Sequence, residues 1–317
     1  MILALRALGV GDLATVTPAL RALRAAHPDR ELVLAAPGWL APLVDLVGGV
    51  DRLVPTDGLG RPHPAVRAPH VAVNLHGRGP ESHRLLARTR PGRLFAYASP
   101  EAGHHDGPDW HADEHEVDRW CRLLDWYGIP ADRTDLGLRR PAPGGVPTGV
   151  TVLHPGSKVP AKRWPPGRFA ALARNLAAGG HRVVLTGSPD ERATAQRIAD
   201  AAGLPADAVL AGRTDLGGLA ALVAYARLVV SGDTGVAHLA TGYRTASVVL
   251  FGPVSPAEWG PPPDRPRHRA LWAGARQMAR WEGVGTHPAL AAIGIDEVLA
   301  AVDEAERAVR VSGAVAA

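Results

Sequence analysis

The sequence predicts an α/β protein of two Rossmann-like domains whose parallel sheets face each other across a cleft. Short continuous apolar runs alternate with helix-period segments along the chain, as expected for parallel strands covered by helices on both faces. A Pro/Gly-rich segment, residues 139–149, separates two halves that each repeat this alternation. The 317 residues suffice for two cores, and 46% hydrophobic with 5% aromatic residues describes aliphatic packing rather than a disordered chain. The domain boundary is placed between residues 147 and 148.

In the first half, strands are expected at Ile2–Leu8, Leu32–Ala36, His70–Leu75 and Leu94–Ala98. Leu13, Val16, Leu20 and Leu23 recur at helical spacing, predicting one helix over Leu13–Ala26. In the second half, strands are expected at Val150–His154, Arg182–Thr186, Leu228–Ser231 and Ser247–Phe251. Helices are expected at Gly167–Ala178, Asp190–Ala202, Leu216–Ala226 and Thr234–Thr241. The last helix, Asp296–Arg310, is free to pack back on the first domain, and Ser312–Ala317 reads as frayed.

Composition excludes several function classes. No apolar run approaches the ~18 residues of a membrane-spanning helix, and the N-terminus lacks the basic region and cleavage site of a signal peptide. A single cysteine, Cys121, rules out an internal disulfide and suits a cytoplasmic protein. Residues 1–147 carry 17 Arg and 17 acidic residues, leaving 18 basic and 14 acidic residues in the rest. No basic run is interleaved with aromatics, so nucleic acid is not an expected partner. The surplus charge lies in the half suited to an anionic small molecule. Oligomeric state is not legible.

That half also holds the chain's two lysines, Lys158 and Lys162, against 33 arginines elsewhere. Both lie in His154-Pro155-Gly156-Ser157-Lys158-Val159-Pro160-Ala161-Lys162, between a strand and a helix. A lysine ammonium is a compact charge suited to phosphate; the two residues are either phosphate ligands or solvated loop lysines, with Lys162 the stronger ligand candidate. Ser231-Gly232-Asp233-Thr234-Gly235-Val236-Ala237-His238 is a second strand–helix junction, where free N–H groups favour an anion. His238 falls one turn after Thr234. Gly187-Ser188-Pro189-Asp190-Glu191 ends another strand. Glu191 either accepts from ribose hydroxyls or supplies first-turn charge, and Thr214 and Leu216 would border a nucleobase.

Gly9-Val10-Gly11-Asp12-Leu13-Ala14 follows the first strand. It matches G-x-G-x-x-A, but the second strand ends Ala35-Ala36-Pro37 without the carboxylate a dinucleotide site needs. Asp12 is either a helix cap or a carboxylate presented to the cleft.

Taken together, the chain resembles the ADP-heptose:lipopolysaccharide heptosyltransferase family, glycosyltransferase family 9, of GT-B architecture. The resemblance rests on Gly11-Asp12 with Thr17-Pro18-Ala19-Leu20-Arg21-Ala22-Leu23-Arg24, His154-Pro155-Gly156-Ser157, Lys162-Arg163-Trp164-Pro165, Phe169, the Gly187 loop, Ser231 to His238 and Phe251-Gly252-Pro253. It implies an inverting, metal-independent transferase using a nucleotide sugar, with Asp12 as base. Donor binding would involve Ser157, Lys162, Ser188, Glu191, Thr214, Leu216, Asp233, Thr234, Gly235 and His238, on loops supported by Gly9, Gly11, Gly156, Gly187 and Gly232. No cofactor or metal is implied, and no D-x-D motif is present to hold one.

One segment departs from an anionic acceptor. Glu101–Asp118 holds seven acidic residues and no Arg or Lys, so Asp109, Asp113, Glu114 and Glu116 are expected to face a cationic acceptor such as an aminocyclitol. His111 and His115 stand at i,i+4 spacing, but acidic His-rich loops are commonly just solvated, and no metal site is expected.

Overall fold

The computed structural model describes residues 1–60, 66–274 and 283–316. It divides into Met1–Arg139 and Arg140–Ala317, at the head of the Pro/Gly segment.

The first unit runs β1 (Ile2–Leu5), α1 (Val10–Thr15), α2 (Thr17–Ala26), β2 (Leu32–Ala36), α3 (Ala41–Val47), β3 (Arg52–Pro55), β4 (Val71–Asn74), α4 (Glu81–Ala87), β5 (Arg93–Phe95) and α5 (Glu116–Trp126). All strand pairs are parallel, in the order β3-β2-β1-β4-β5. β1 and β2 are wholly buried, which is why they read as unbroken apolar runs. The one helix expected over Leu13–Ala26 is two. The chain leaves helical geometry at Val16 (φ −92°, ψ 4°), because Pro18 has no N–H for Ala14 and its ring crowds that carbonyl; Pro18 instead sits in the first turn of α2. β1 also stops at Leu5, short of Leu8, as the chain turns to start α1.

The second unit runs β6 (Thr151–His154), α6 (Pro166–Ala178), β7 (Val183–Leu185), α7 (Arg192–Ala202), α8 (Leu216–Ala224), β8 (Leu228–Gly232), α9 (Gly235–Tyr243), β9 (Ser247–Phe251), α10 (Pro256–Trp259), β10 (His268–Trp272), α11 (Pro288–Ala292) and α12 (Ile295–Ala316). Its parallel order is β10-β9-β8-β6-β7. β3 and β10, both edge strands, were not expected from the sequence. α12 belongs to this unit: Val298, Ala301, Val302 and Ala305 join the core that contains Trp164, Phe169 and Leu250. It remains helical to Ala316 where fraying was expected; Ala317 lies outside the described residues.

Both units are doubly wound. The first has the 3-2-1-4-5 order; numbered from β6, the second has 2-1-3-4-5. Each order reverses beside its own first strand, between β1 and β4 and between β6 and β8. Ligands of open α/β sheets bind at the carboxyl ends of strands at such a reversal.

Candidate functional site

At the first reversal, the loop after β1 carries Arg6 and Gly9, the first turn of α1 carries Gly11 and Asp12, and the loop after β4 carries His76. Gly9 is the N-cap of α1 (φ −95°, ψ −170°). Asp12 is therefore the third helical residue, and its Oδ2 accepts from the Gly9 N–H at 3.0 Å, the reaching-back half of a capping box. Gly11, inside α1, leads directly into it. Asp12 Oδ1 accepts from Arg6 Nη2 at 3.1 Å, and its side chain keeps 28% exposure against 1% for Arg6. A helix-end role and an accessible carboxylate thus coexist in one residue.

Arg6 was missed in the sequence, although a lone charge in Ile2–Leu8 is a signal: a buried guanidinium must be paired. Its Nε donates to the Asp12 carbonyl at 3.1 Å, Nη1 to the Leu75 carbonyl at 2.6 Å, and Nη2 also to Glu116 Oε1 at 2.7 Å. Its guanidinium lies 4.8 Å from the Trp120 ring centroid. His76 Nδ1 receives the Ala7 N–H at 3.2 Å. Burial, then the Arg6 charge, lowers the His76 pKa against the opposing pull of Asp12.

The acidic segment does not form the surface expected of it. Glu116 is 5% exposed; besides Arg6 it accepts from Trp120 Nε1 at 2.8 Å and Arg119 Nη1 at 2.7 Å. Helical spacing supplies these partners three and four residues on. Glu114 pairs with Arg122 at 2.7 Å and Asp118 with Arg133 at 3.3 Å. Asp109 and Asp113 do remain exposed. His115 caps α5, its Nδ1 accepting from the Val117 N–H. Among the described residues, no group of three or more His, Cys, Asp or Glu is placed to hold a metal ion.

At the second reversal, the loop after β6 meets both neighbouring strand-end loops. On the β8 side, Lys162 Nζ donates to Asp233 Oδ2 at 2.6 Å, with Asp233 at 6% side-chain exposure and Lys162 at 24%. Gly232 lets this loop approach, since a Cβ there would lie 2.9 Å from the Lys162 carbonyl oxygen. Trp164 anchors the segment, donating from Nε1 to the Ile293 carbonyl at 3.1 Å and packing edge-on against Phe169. Lys158 is exposed. Thr234 is the N-cap of α9, yet its buried Oγ1 has no hydrogen-bond partner among the described residues. Gly235 opens the helix. His238 Nε2 lies 4.0 Å from Asp233 Oδ1, and its ring is edge-on to Trp259.

On the β7 side, Glu191 Oε2 accepts from the Ser188 N–H at 2.8 Å. The carboxylate lies over Gly156, where a Cβ would sit 2.1 Å from Glu191 Cδ, and near Gly187, at 3.0 Å from Oε2. Ser157 Oγ accepts from the Val159 N–H at 3.2 Å. Gly212 N–H donates to the Gly187 carbonyl at 2.9 Å, and Thr214 and Leu216 follow it at the start of α8. Asp215, between them, caps α8 through the Gly218 N–H at 2.7 Å. The structure therefore places Ser157 and Lys162, Ser188 and Glu191, and Asp233, Thr234, Gly235 and His238 beyond the adjacent carboxyl ends of β6, β7 and β8, with Thr214 and Leu216 at the start of α8.

Residues 109–282 match the family model for glycosyltransferase family 9 (heptosyltransferase). The chain belongs to glycosyltransferase family 9. This family 9 chain is 37% identical to lipopolysaccharide heptosyltransferase 1 of Pseudomonas aeruginosa over 155 residues, 47% of this chain and 42% of that protein. It is 37% identical to lipopolysaccharide heptosyltransferase 2 of Escherichia coli K12 over 106 residues, 32% of this chain and 30% of the other. The aligned stretches thus span less than half the length of these curated relatives. In fold, the chain is similar to the glycosyl transferase family 9 structure from Veillonella parvula (TM-score 0.80, 21% identity, covering 96% of this chain and 97% of that one). It is also similar to the E. coli ADP-heptose lps heptosyltransferase II structure (TM-score 0.75, 21% identity, 96% and 98% covered). Both agree with the two parallel-sheet units and the GT-B class expected from the sequence. Among the described residues, no helix is long and apolar enough to cross a membrane.

Proposed function

We propose that this chain is an inverting glycosyltransferase that moves a sugar, heptose from ADP-heptose, onto an acceptor hydroxyl without a metal ion, in the cytoplasm. The observation carrying this reading is Asp12, fixed through both carboxylate oxygens yet open to solvent, in a member of family 9. Asp12 accepts the proton as the acceptor oxygen attacks the anomeric carbon from the face opposite the diphosphate. As that carbon's bond to the diphosphate oxygen breaks, negative charge grows on the leaving group. Lys162, the Thr234 hydroxyl and the opening N–H groups of α9 are the groups to stabilise it. Glu191 and Ser188 are assigned to the ribose, and Thr214 and Leu216 to the base.

The test is thermal unfolding with ADP after EDTA treatment. At a hundredfold excess over its Kd, ADP is expected to add about 2.7 kcal/mol of stability. No ADP-dependent rise in Tm under those conditions would refute metal-free donor binding.

On the acceptor side, the pairing of Glu114 and Glu116 leaves Asp109 and Asp113 as the carboxylates that favour a cationic acceptor such as an aminocyclitol. Such a field concentrates cations and weakens with salt. Asp109→Asn with Asp113→Asn is expected to raise the acceptor KM at unchanged donor KM. Faster turnover of a phosphorylated lipid sugar than of the aminocyclitol would overturn this assignment.

A further inference from the structure

We propose that Glu116 is a positioning residue for transfer: through Arg6 it fixes the Asp12 carboxylate and takes up the guanidinium's charge, leaving Asp12 fit to accept a proton. The proposal rests on the reading of Asp12 as base.

The geometry forms a chain, Asp12–Arg6–Glu116–Arg119, of two anions and two cations. Arg6 Nη2 is shared between two carboxylates and lies nearer the buried one, 2.7 Å from Glu116 against 3.1 Å from Asp12. A guanidinium that gave its whole fork to Asp12 would stabilise the anion and oppose protonation. Here Arg6 spends Nε and Nη1 on carbonyl oxygens, so Asp12 receives one side-chain N–H and one backbone N–H. Glu116 cannot swing away, because Arg119 and Trp120 hold its two oxygens. Arg119 is itself held by the carbonyls of His111, Ala112 and Glu114 at 2.8–3.1 Å and stacks over Trp110 at 4.2 Å. His76 also senses Asp12, and burial and Arg6 drive it toward its neutral form. The aim of Asp12 is thus set from α5, through Arg6, as well as by the Gly9 N–H at its own helix start.

The experiment measures kcat, both KM values and the pH profile of transfer from ADP-heptose for Glu116→Gln, Arg6→Lys and Asp12→Asn, with Tm on each preparation. In Glu116→Gln the amide oxygen can still accept from Arg6, but the negative charge that balances the guanidinium is gone. The variant's kcat is expected to fall roughly 100-fold, the cost of a misplaced reacting group, with donor KM unchanged and the acid limb of the profile moved to lower pH. Arg6→Lys keeps the charge but loses the fork that ties it at once to both carboxylates and to the Asp12 and Leu75 carbonyls, and is expected to lose kcat similarly. A Glu116→Gln enzyme with a lowered Tm but the parent's kcat and pH profile would overturn the proposal. If that variant does not fold, parent-like kcat in Arg6→Lys would do so. Full turnover by Asp12→Asn would instead sink the base assignment itself, so the two failures are distinguishable.

Discussion

Asp12→Asn is expected to lower turnover by about 10²–10⁴-fold, the usual contribution of a positioned general base, while ADP binding persists. The amide matches the carboxylate in shape and can still present its oxygen to the Gly9 N–H, so the start of α1 should hold. It cannot accept the acceptor's proton. If Asp12 acted only at the helix end, Asp12→Asn would spare both turnover and stability, and Asp12→Ala would cost about 1 kcal/mol of stability with turnover preserved. Rate and melting temperature measured on one preparation separate these outcomes.

Lys162→Ala is expected to weaken ADP binding by about 10- to 100-fold, corresponding to about 1.5–3 kcal/mol for a charge-assisted hydrogen bond. The Asp233 pair adds a second effect. Removing the ammonium leaves a carboxylate at 6% exposure without its cation, which both destabilises the unit and repels phosphate. Adding Asp233→Asn should recover stability but not affinity, because the mutated pair still offers no positive charge. Lys158→Ala, at an exposed loop position, should change affinity less. Equal losses at the two lysines, measured by titration calorimetry, would contradict the assignment of the phosphate to Lys162.

The central strands were legible because burial on both faces leaves a run of aliphatic residues, as in Leu32–Ala36 and Ser247–Phe251. The edges were not. Arg52 and Pro55 in β3, and His268 and Arg269 in β10, are tolerable where one side of a strand needs no partner, so neither strand carries that signature. The break at Val16 was available from Pro18 but was outweighed by the apolar period running through it. For the site, Asp12 and Lys162 stood out locally, through a glycine-flanked helix start and the rarity of lysine. The Arg6–Glu116 contact joins residues 110 apart and the Lys162–Asp233 contact residues 71 apart. No spacing rule reaches that far, so Asp233 was expected to meet the donor rather than Lys162, and Glu116 an acceptor rather than Arg6.

The Lys162–Asp233 pair also makes the molecule its own occupancy gauge. Apart from the α-amine, primary amines occur at two side chains in the sequence, four residues apart. An acylating reagent meets Lys158 in the open, whereas Lys162, paired with Asp233 and 24% exposed, is expected to react more slowly. Both modifications are read by mass spectrometry within one short stretch of chain, the outer lysine serving as an internal standard for the inner. A bound diphosphate would register as a change in the ratio of the two adducts, without a labelled ligand or a coupled assay.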